Sequence, residues 1–223
     1  MKTKIIAIEG IDGSGKTVQI ELLQKKLLER GYSVSIRSYP VYSSFFGSQV
    51  GLLLSGSGGI KATDVDQKSM AMWFALDRFD DFKSFVDGDA DFLLINRYVL
   101  SNAVYQSIRD GDWDKPDIVD WVFELEYNKL GLPRPELNLF FDVDTDCAGH
   151  NVDKKGFRDY IGSGRDVYES SLSIQQRARN KYIEIALRFD NIEIIKCTQD
   201  GTMLAPEHIS ECVVSSLIKH GII

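Results

Sequence analysis

The stretch "GIDGSGKT", Gly10 to Thr17, satisfies the pattern Gly-x-x-x-x-Gly-Lys-[Ser/Thr]. Each position in it has a physical task. Glycines let backbone N–H groups curl around a phosphate, and the N-terminus of the next helix adds a favourable dipole. Lys16 can reach terminal phosphates, and Thr17 offers a hydroxyl to a magnesium ion. Gly10, Asp12, Gly13, Ser14, Gly15, Lys16 and Thr17 are therefore the candidate residues for a nucleoside triphosphate with Mg2+. "LSGSG", Leu54 to Gly58, superficially resembles a second nucleotide signature. It lies too close behind the first, and no apolar run ending in Asp-Glu comes after it, so it reads as an ordinary loop.

Two further groups could do chemistry. In "DFLLINRYVLSNAVYQ" an apolar run, Phe92 to Ile95, delivers an amide, a guanidinium and a phenol at its end: Asn96, Arg97 and Tyr98. In "FALDR", Phe74 and Arg78 are four apart and share a helix face. Arg78 sits among aromatics, between Phe74 and Phe82, and needs an anionic partner if it is buried. That partner is either a ligand or a core carboxylate such as Asp77 or Asp81.

These residues must be held by regular elements. "KIIAIEG" is a short apolar run ending at Gly10, hence a buried strand, and Ile20, Leu23, Leu27 and Leu28 recur at helical spacing until Gly31. Further strands are expected at "YSVSIRSYP", at the opening of "DFLLINRYV", at "ELNLFFDVD" and at "NIEIIKC". Helices are expected over 64–86, 99–109, 116–131, 164–189 and 205–221. Five strands alternating with helices imply an α/β fold, a parallel sheet covered on both faces. Ligands then bind at the carboxyl ends of the strands. Gly10, Tyr39-Pro40 and Asn96-Arg97 all lie just past such ends and should converge on one crevice.

The chain has 223 residues, 43% hydrophobic, which suits one domain over 1–223. "SGSGGIKATD", Ser55 to Asp64, is a glycine-rich loop. The segment 146–165 lacks a clear pattern and reads as a lid. A net charge of −7 argues against a general nucleic-acid or membrane-surface protein. Cys147, Cys197 and Cys212 are odd in number and lack CxxC spacing, which suits a reducing compartment. The first residues are too short in their apolar part for a signal peptide, and no run approaches a membrane span, so a cytoplasmic protein is the expectation.

Residues beyond the phosphate loop narrow the reaction. "SYP" ends the second strand, "FALDR" lies in the long helix, and then come "NRYVLSNAVYQ", "LGLPRPELNLFFDVD" and a lid ending in "GRDVYE". In this order the chain resembles the thymidylate kinase family of P-loop nucleoside monophosphate kinases, which make dTDP from dTMP and ATP. The resemblance covers nearly the whole chain. It implies a P-loop NTPase three-layer α/β/α fold with a five-stranded parallel sheet and a lid insertion, ATP and dTMP as substrates, Mg2+ as cofactor, and a homodimer.

It also implies roles. Phe74 would stack on the thymine, and Arg78 would hydrogen-bond the nucleotide. Arg97 would clamp the acceptor phosphate, for which a bidentate guanidinium is well suited. Tyr39 and Pro40, with Tyr98, Ser101, Asn102, Tyr105 and Gln106, fall where the family lines the acceptor pocket, although simple helix capping also accounts for Ser101 and Asn102. Gln106 carries both a donor and an acceptor for a pyrimidine edge. Asp12 would bind the 3′-hydroxyl. With Gly13 in the loop, the catalytic cation should come from the lid: Arg165 first, then Arg158, with Lys154 and Lys155 as further candidates.

Asn96 departs from the family, which carries Asp there, near the Mg2+ and its waters. Asn keeps an acceptor oxygen and loses the charge. Three outcomes are open: an enzyme with weaker Mg2+ dependence, compensation by Glu9, Asp142 or Asp144, or a nucleotide-binding protein with little turnover. A kinase for another deoxynucleotide or a deoxynucleoside is the neighbouring alternative.

Overall fold

The computed structural model describes residues 2–109, 117–153 and 172–223. Its centre is a five-stranded, all-parallel sheet in the order β2-β3-β1-β4-β5: β1 Lys4–Glu9, β2 Val34–Ser38, β3 Phe92–Asn96, β4 Leu137–Asp142 and β5 Ile192–Lys196. The three central strands are buried almost throughout, as their unbroken apolar runs require when helices cover both faces. Edge strand β2 carries Val34 and Ile36 between polar Ser35, Arg37 and Ser38, and none of its residues is fully buried.

Helices α1 (Lys16–Glu29), α2 (Phe45–Ser55), α3 (Gln67–Phe82) and α4 (Val99–Ser107) succeed the first three strands. The long helix expected over 64–86 is α3, started by Asp66, whose carboxylate accepts from Ser69 N at 3.0 Å. The 99–109 helix is α4. In place of one regular helix over 116–131, the described part begins as α5 (Val119–Phe123) and widens into a π-helical turn over Glu124–Lys129. The start of the expected lid is helical, α6 (Thr145–Asp153); its remainder, including Lys154, Lys155, Arg158 and Arg165, lies outside the described residues. Helices α7 (Leu172–Ala186) and α8 (Pro206–Lys219) realise the described parts of the last two expected helices.

Three elements were not expected, the shortest a 3-10 turn over Ala62–Asp64 at the end of the expected loop. The chain between Pro40 and Ser55 carries α2, capped by Ser44 Oγ on Gly47 N at 2.9 Å and ended by Gly56 at φ 67°. Gly47 and Gly51 are poor helix formers and mask its pattern. Gly47 is required by packing, because a Cβ there would sit 1.9 Å from the carbonyl oxygen of Val41. A small hairpin, β6 (Thr198–Gln199) and β7 (Thr202–Met203), comes after β5.

Candidate active site

The phosphate loop joins β1 to α1 with Gly10, Gly13 and Gly15 all in the left-handed region, at φ 144°, 79° and 82°. Close packing as well as conformation demands glycine. A Cβ on Gly10 would meet Ser14 Oγ at 2.8 Å, and one on Gly13 would meet the carbonyl oxygen of Ala148 in α6 at 2.1 Å. Asn151 of the same helix donates to the Gly13 carbonyl at 3.0 Å. Lys16 lies across the loop and donates to the carbonyls of Ile11 at 2.8 Å and Gly10 at 3.1 Å. Thr17 faces solvent in the first turn of α1.

β3 places its polar end beside this loop. Arg97 adopts φ 62°, a strained setting for a side chain that long, and its N–H bonds to the Ile8 carbonyl at 3.0 Å. Its Nη2 reaches Asp12 Oδ1 at 2.6 Å, and its guanidinium lies 5.4 Å from the centre of the Tyr105 ring. Burial alone would lower the Arg97 pKa, but Asp12 reverses this and holds it well above the ordinary value. Tyr105 also contacts Asp12 Oδ2, at 3.4 Å. Gln175 of α7 accepts from Asp12 N at 3.2 Å and from the Tyr105 hydroxyl at 3.3 Å.

Beneath Arg97 lies Glu9, fully buried at the end of β1. It accepts from Tyr98 N at 2.8 Å, from the Ser101 hydroxyl, and from the Tyr182 hydroxyl at 3.3 Å. Burial raises its pKa above the usual carboxylate range despite these bonds. Ser101 is therefore engaged with Glu9 and, at 3.4 Å, with Arg97 Nη1.

On the next face of α4, Asn102 and Gln106 are buried. Arg78 is buried too, and its partner is neither Asp77 nor Asp81. Glu126 of the π turn takes Nε and Nη2 at 2.6 Å each, with both side chains almost fully enclosed. Burial pulls the Arg78 pKa down, and the charge and bonds of Glu126 more than offset it. Asp77 instead accepts from Val41 N at 2.9 Å and Ser44 Oγ at 2.8 Å. Asp81 holds the Tyr39 hydroxyl at 2.6 Å and Arg37. Tyr39 and Pro40 are joined by a cis peptide bond. Phe74 packs half-buried against the core one turn before Arg78.

Asn96 donates from Nδ2 to Ser38 Oγ at 3.1 Å, while its Oδ1 is buried with no partner among the described residues. The carboxylates that could compensate for it are engaged: Glu9 with Tyr98, Ser101 and Tyr182, Asp142 with Lys196 and with Arg179 at 2.5 Å, and Asp144 with Arg179 at 2.9 Å.

The sequence profile of the thymidylate kinase family matches residues 8–204, from β1 to beyond β7. This chain belongs to the thymidylate kinase family. Thymidylate kinase of Mycobacterium tuberculosis strain H37Rv is 33% identical over 186 residues, covering 82% of this chain and 85% of that one. A probable thymidylate kinase of Pyrococcus abyssi is 25% identical over 223 residues, with 99% and 98% covered. Among solved structures, thymidylate kinase from Candida albicans superposes with a TM-score of 0.74 at 18% identity, covering 99% of this chain and 93% of that one. That likeness shows a shared fold.

Within this thymidylate kinase family member, the structure brings Gly10 to Thr17, Arg97, Ser101 and Tyr105 to one crevice. Asn102 and Arg78 meet at Glu126, with Gln106 one turn of α4 on from Asn102 and Phe74 one turn of α3 before Arg78. Glu126, Gln175 and Tyr182 were not among the expected residues, because a lone Glu, Gln or Tyr on a helix carries no spacing signal. A glutamate directly before Gly10, inside an apolar strand, was the one legible hint for Glu9.

Proposed function

We propose that this crevice transfers the γ-phosphoryl group of ATP to dTMP, giving dTDP and ADP; the chain is a phosphotransferase, a dTMP kinase. The observation that carries the assignment of the site is the 2.6 Å contact between Arg97 and Asp12. It sets a guanidinium directly against the phosphate loop, which supports reading Arg97 as the cation for the acceptor phosphate.

Phosphoryl transfer needs alignment and positive charge more than covalent help. An oxygen of the acceptor phosphate attacks the γ-phosphorus, and the bond to the oxygen bridging the β- and γ-phosphorus breaks. Lys16 exchanges its loop carbonyls for the β- and γ-phosphates. The loop N–H groups and the N-terminus of α1 hold the donor chain in place. Arg97 turns from Asp12 to the acceptor phosphate, which leaves Asp12 to accept from the 3′-hydroxyl. Tyr39, Pro40 and Tyr105 border the sugar, and Phe74 stacks on the base. Arg165 and Arg158 are the proposed lid cations.

Mg2+ fits the donor set here: Thr17 presents an exposed hydroxyl, and Asn96 Oδ1 is a buried acceptor with no partner among the described residues. These two would hold the ion, Asn96 through a water. When bound, it neutralises charge on the transferring phosphates.

Partnering as a homodimer agrees with the family. Exposed Phe45 and Leu52 on α2 and Met72 on α3 supply an apolar face for it. No helix among the described residues is long and apolar enough to cross a membrane. The three cysteines are free thiols, and their odd number and lack of CxxC spacing support a reducing, cytoplasmic setting.

A coupled ADP-release assay with ATP and a panel of nucleosides and monophosphates tests the reading. Turnover with dTMP is expected. Turnover with nucleosides alone would overturn it, and binding of dTMP without turnover would make the protein a nucleotide-binding module.

A further inference from the structure

We propose that Glu126 is a positioning residue that sets the polarity of the base pocket, so that it accepts the imide edge of thymine or uracil and rejects cytosine. The proposal rests on the acceptor pocket assigned under the proposed function and concerns a residue outside it.

The surroundings of the Asn102 amide fix its orientation. Nδ2 lies 2.7 Å from Glu126 Oε1 and 3.0 Å from the carbonyl oxygen of Ala71. Both neighbours are acceptors. Turning the amide over would place oxygen against two oxygens, one of them charged, so nitrogen is held on that side. Asn102 Oδ1 must then face the other way, where it is buried without a partner among the described residues. A buried unpaired acceptor is unfavourable unless a ligand supplies the missing donor.

The same carboxylate orients Arg78. It takes Nε and Nη2 at 2.6 Å, which leaves Nη1 to donate elsewhere. Gln106, one turn along α4 from Asn102 and on the same face, is fixed in the opposite sense. Its Oε1 accepts from Arg109 Nη1 at 3.1 Å, and its Nε2 is a buried donor without a partner among the described residues. Arg78, Asn102 and Gln106 therefore offer donor, acceptor and donor. The imide edge of thymine or uracil presents acceptor, donor and acceptor. Cytosine presents an amino donor and an unprotonated ring nitrogen at the first two places and meets two like poles.

Glu126 can reach both Arg78 and Asn102 because it sits in the π turn, where the Leu130 N–H reaches back to Leu125 at 2.9 Å and the helix is widened.

The test compares kcat/KM for dTMP and dCMP in wild type, Glu126→Gln and Glu126→Asp. Loss of the oriented pair should lower the dTMP-to-dCMP ratio by roughly tenfold, the worth of one buried hydrogen bond to a charged group. ATP affinity should stay unchanged, because the phosphate loop is built by other elements. Equal losses for both substrates would mean that Glu126 is merely structural, and the proposal would fall. Should Glu126→Gln not fold, Glu126→Asp keeps a charge for Arg78 while withdrawing the oxygen from Asn102, and the same ratio decides. In wild type, methylation of dTMP at the ring N–H should reduce kcat/KM by at least the same factor; no effect would overturn the assignment of Asn102 Oδ1. Absence of any dTMP turnover in wild type would instead strike the proposed function itself.

Discussion

Arg97 Nη2 lies 2.6 Å from Asp12 Oδ1, so the end of β3 and the phosphate loop are joined by an ion pair across the crevice. The pair is only partly exposed, and Arg97 holds a left-handed backbone to make it. The expected consequence is that Arg97→Ala lowers kcat/KM for dTMP by about 10²–10³, the usual loss when one donor to a developing charge is removed. ATP affinity, measured by calorimetry without acceptor, should change little.

Asn96→Asp restores a charge at a place where an unpaired buried oxygen already points. The second carboxylate oxygen would fall opposite Ser38 Oγ, which can donate to it in place of accepting. The half-saturating Mg2+ concentration should fall by roughly thirtyfold, because one added negative charge ~4 Å from a divalent ion in water is worth ~2 kcal/mol. A magnesium titration of the rate checks this; an unchanged midpoint would mean that the site had compensated by other means.

Gly13→Ala places a methyl where the Ala148 carbonyl oxygen stands, in a residue at φ 79°. Either the loop or α6 must move. The strain should lower stability by about 1–3 kcal/mol and weaken ATP binding, since the cradle itself is distorted. Thermal melts with and without ATP read both effects. A smaller ligand-induced rise in Tm than in wild type is the diagnostic result.

Glu9 supplies a pH test with a definite sign. Its folded-state pKa is raised by burial above the ordinary 4.5. Below 4.5 it is protonated in both states and adds no pH dependence. Between 4.5 and its raised value the unfolded chain has lost the proton while the folded chain keeps it, so stability falls as pH rises. Glu9→Gln removes that slope. Tm values from about pH 4.5 to 8 should therefore show the variant gaining on wild type as pH rises; parallel curves would refute the assignment.

Much of this architecture is legible in the amino-acid sequence. The runs at Lys4–Glu9, Phe92–Asn96 and Leu137–Asp142 are buried on both faces and can be little else than central parallel strands. The glycine pattern from Gly10 to Gly15 names a phosphate loop because few other residues tolerate its backbone. Helix α2 was hidden because Gly47 and Gly51 weaken its local preference, and its reason is the close approach of Val41. The π turn was hidden because it depends on where Glu126 must go, not on what Glu126 prefers.

The residue types and their order along the chain were enough to name the phosphate loop and the parallel sheet and to set Arg97 at a strand end. Those features are local: a strand period, a backbone only glycine tolerates, a guanidinium at a strand end. Pairing is a different kind of fact. That Arg78 belongs to Glu126 and not to its neighbours Asp77 or Asp81, that Glu9 holds Ser101 and Tyr98, and that Asn102 presents its oxygen and not its nitrogen were decided by the tertiary structure. Buried polar groups take the partners that packing brings within about 3 Å. In this fold those partners come from positions 24 to 92 residues away along the chain.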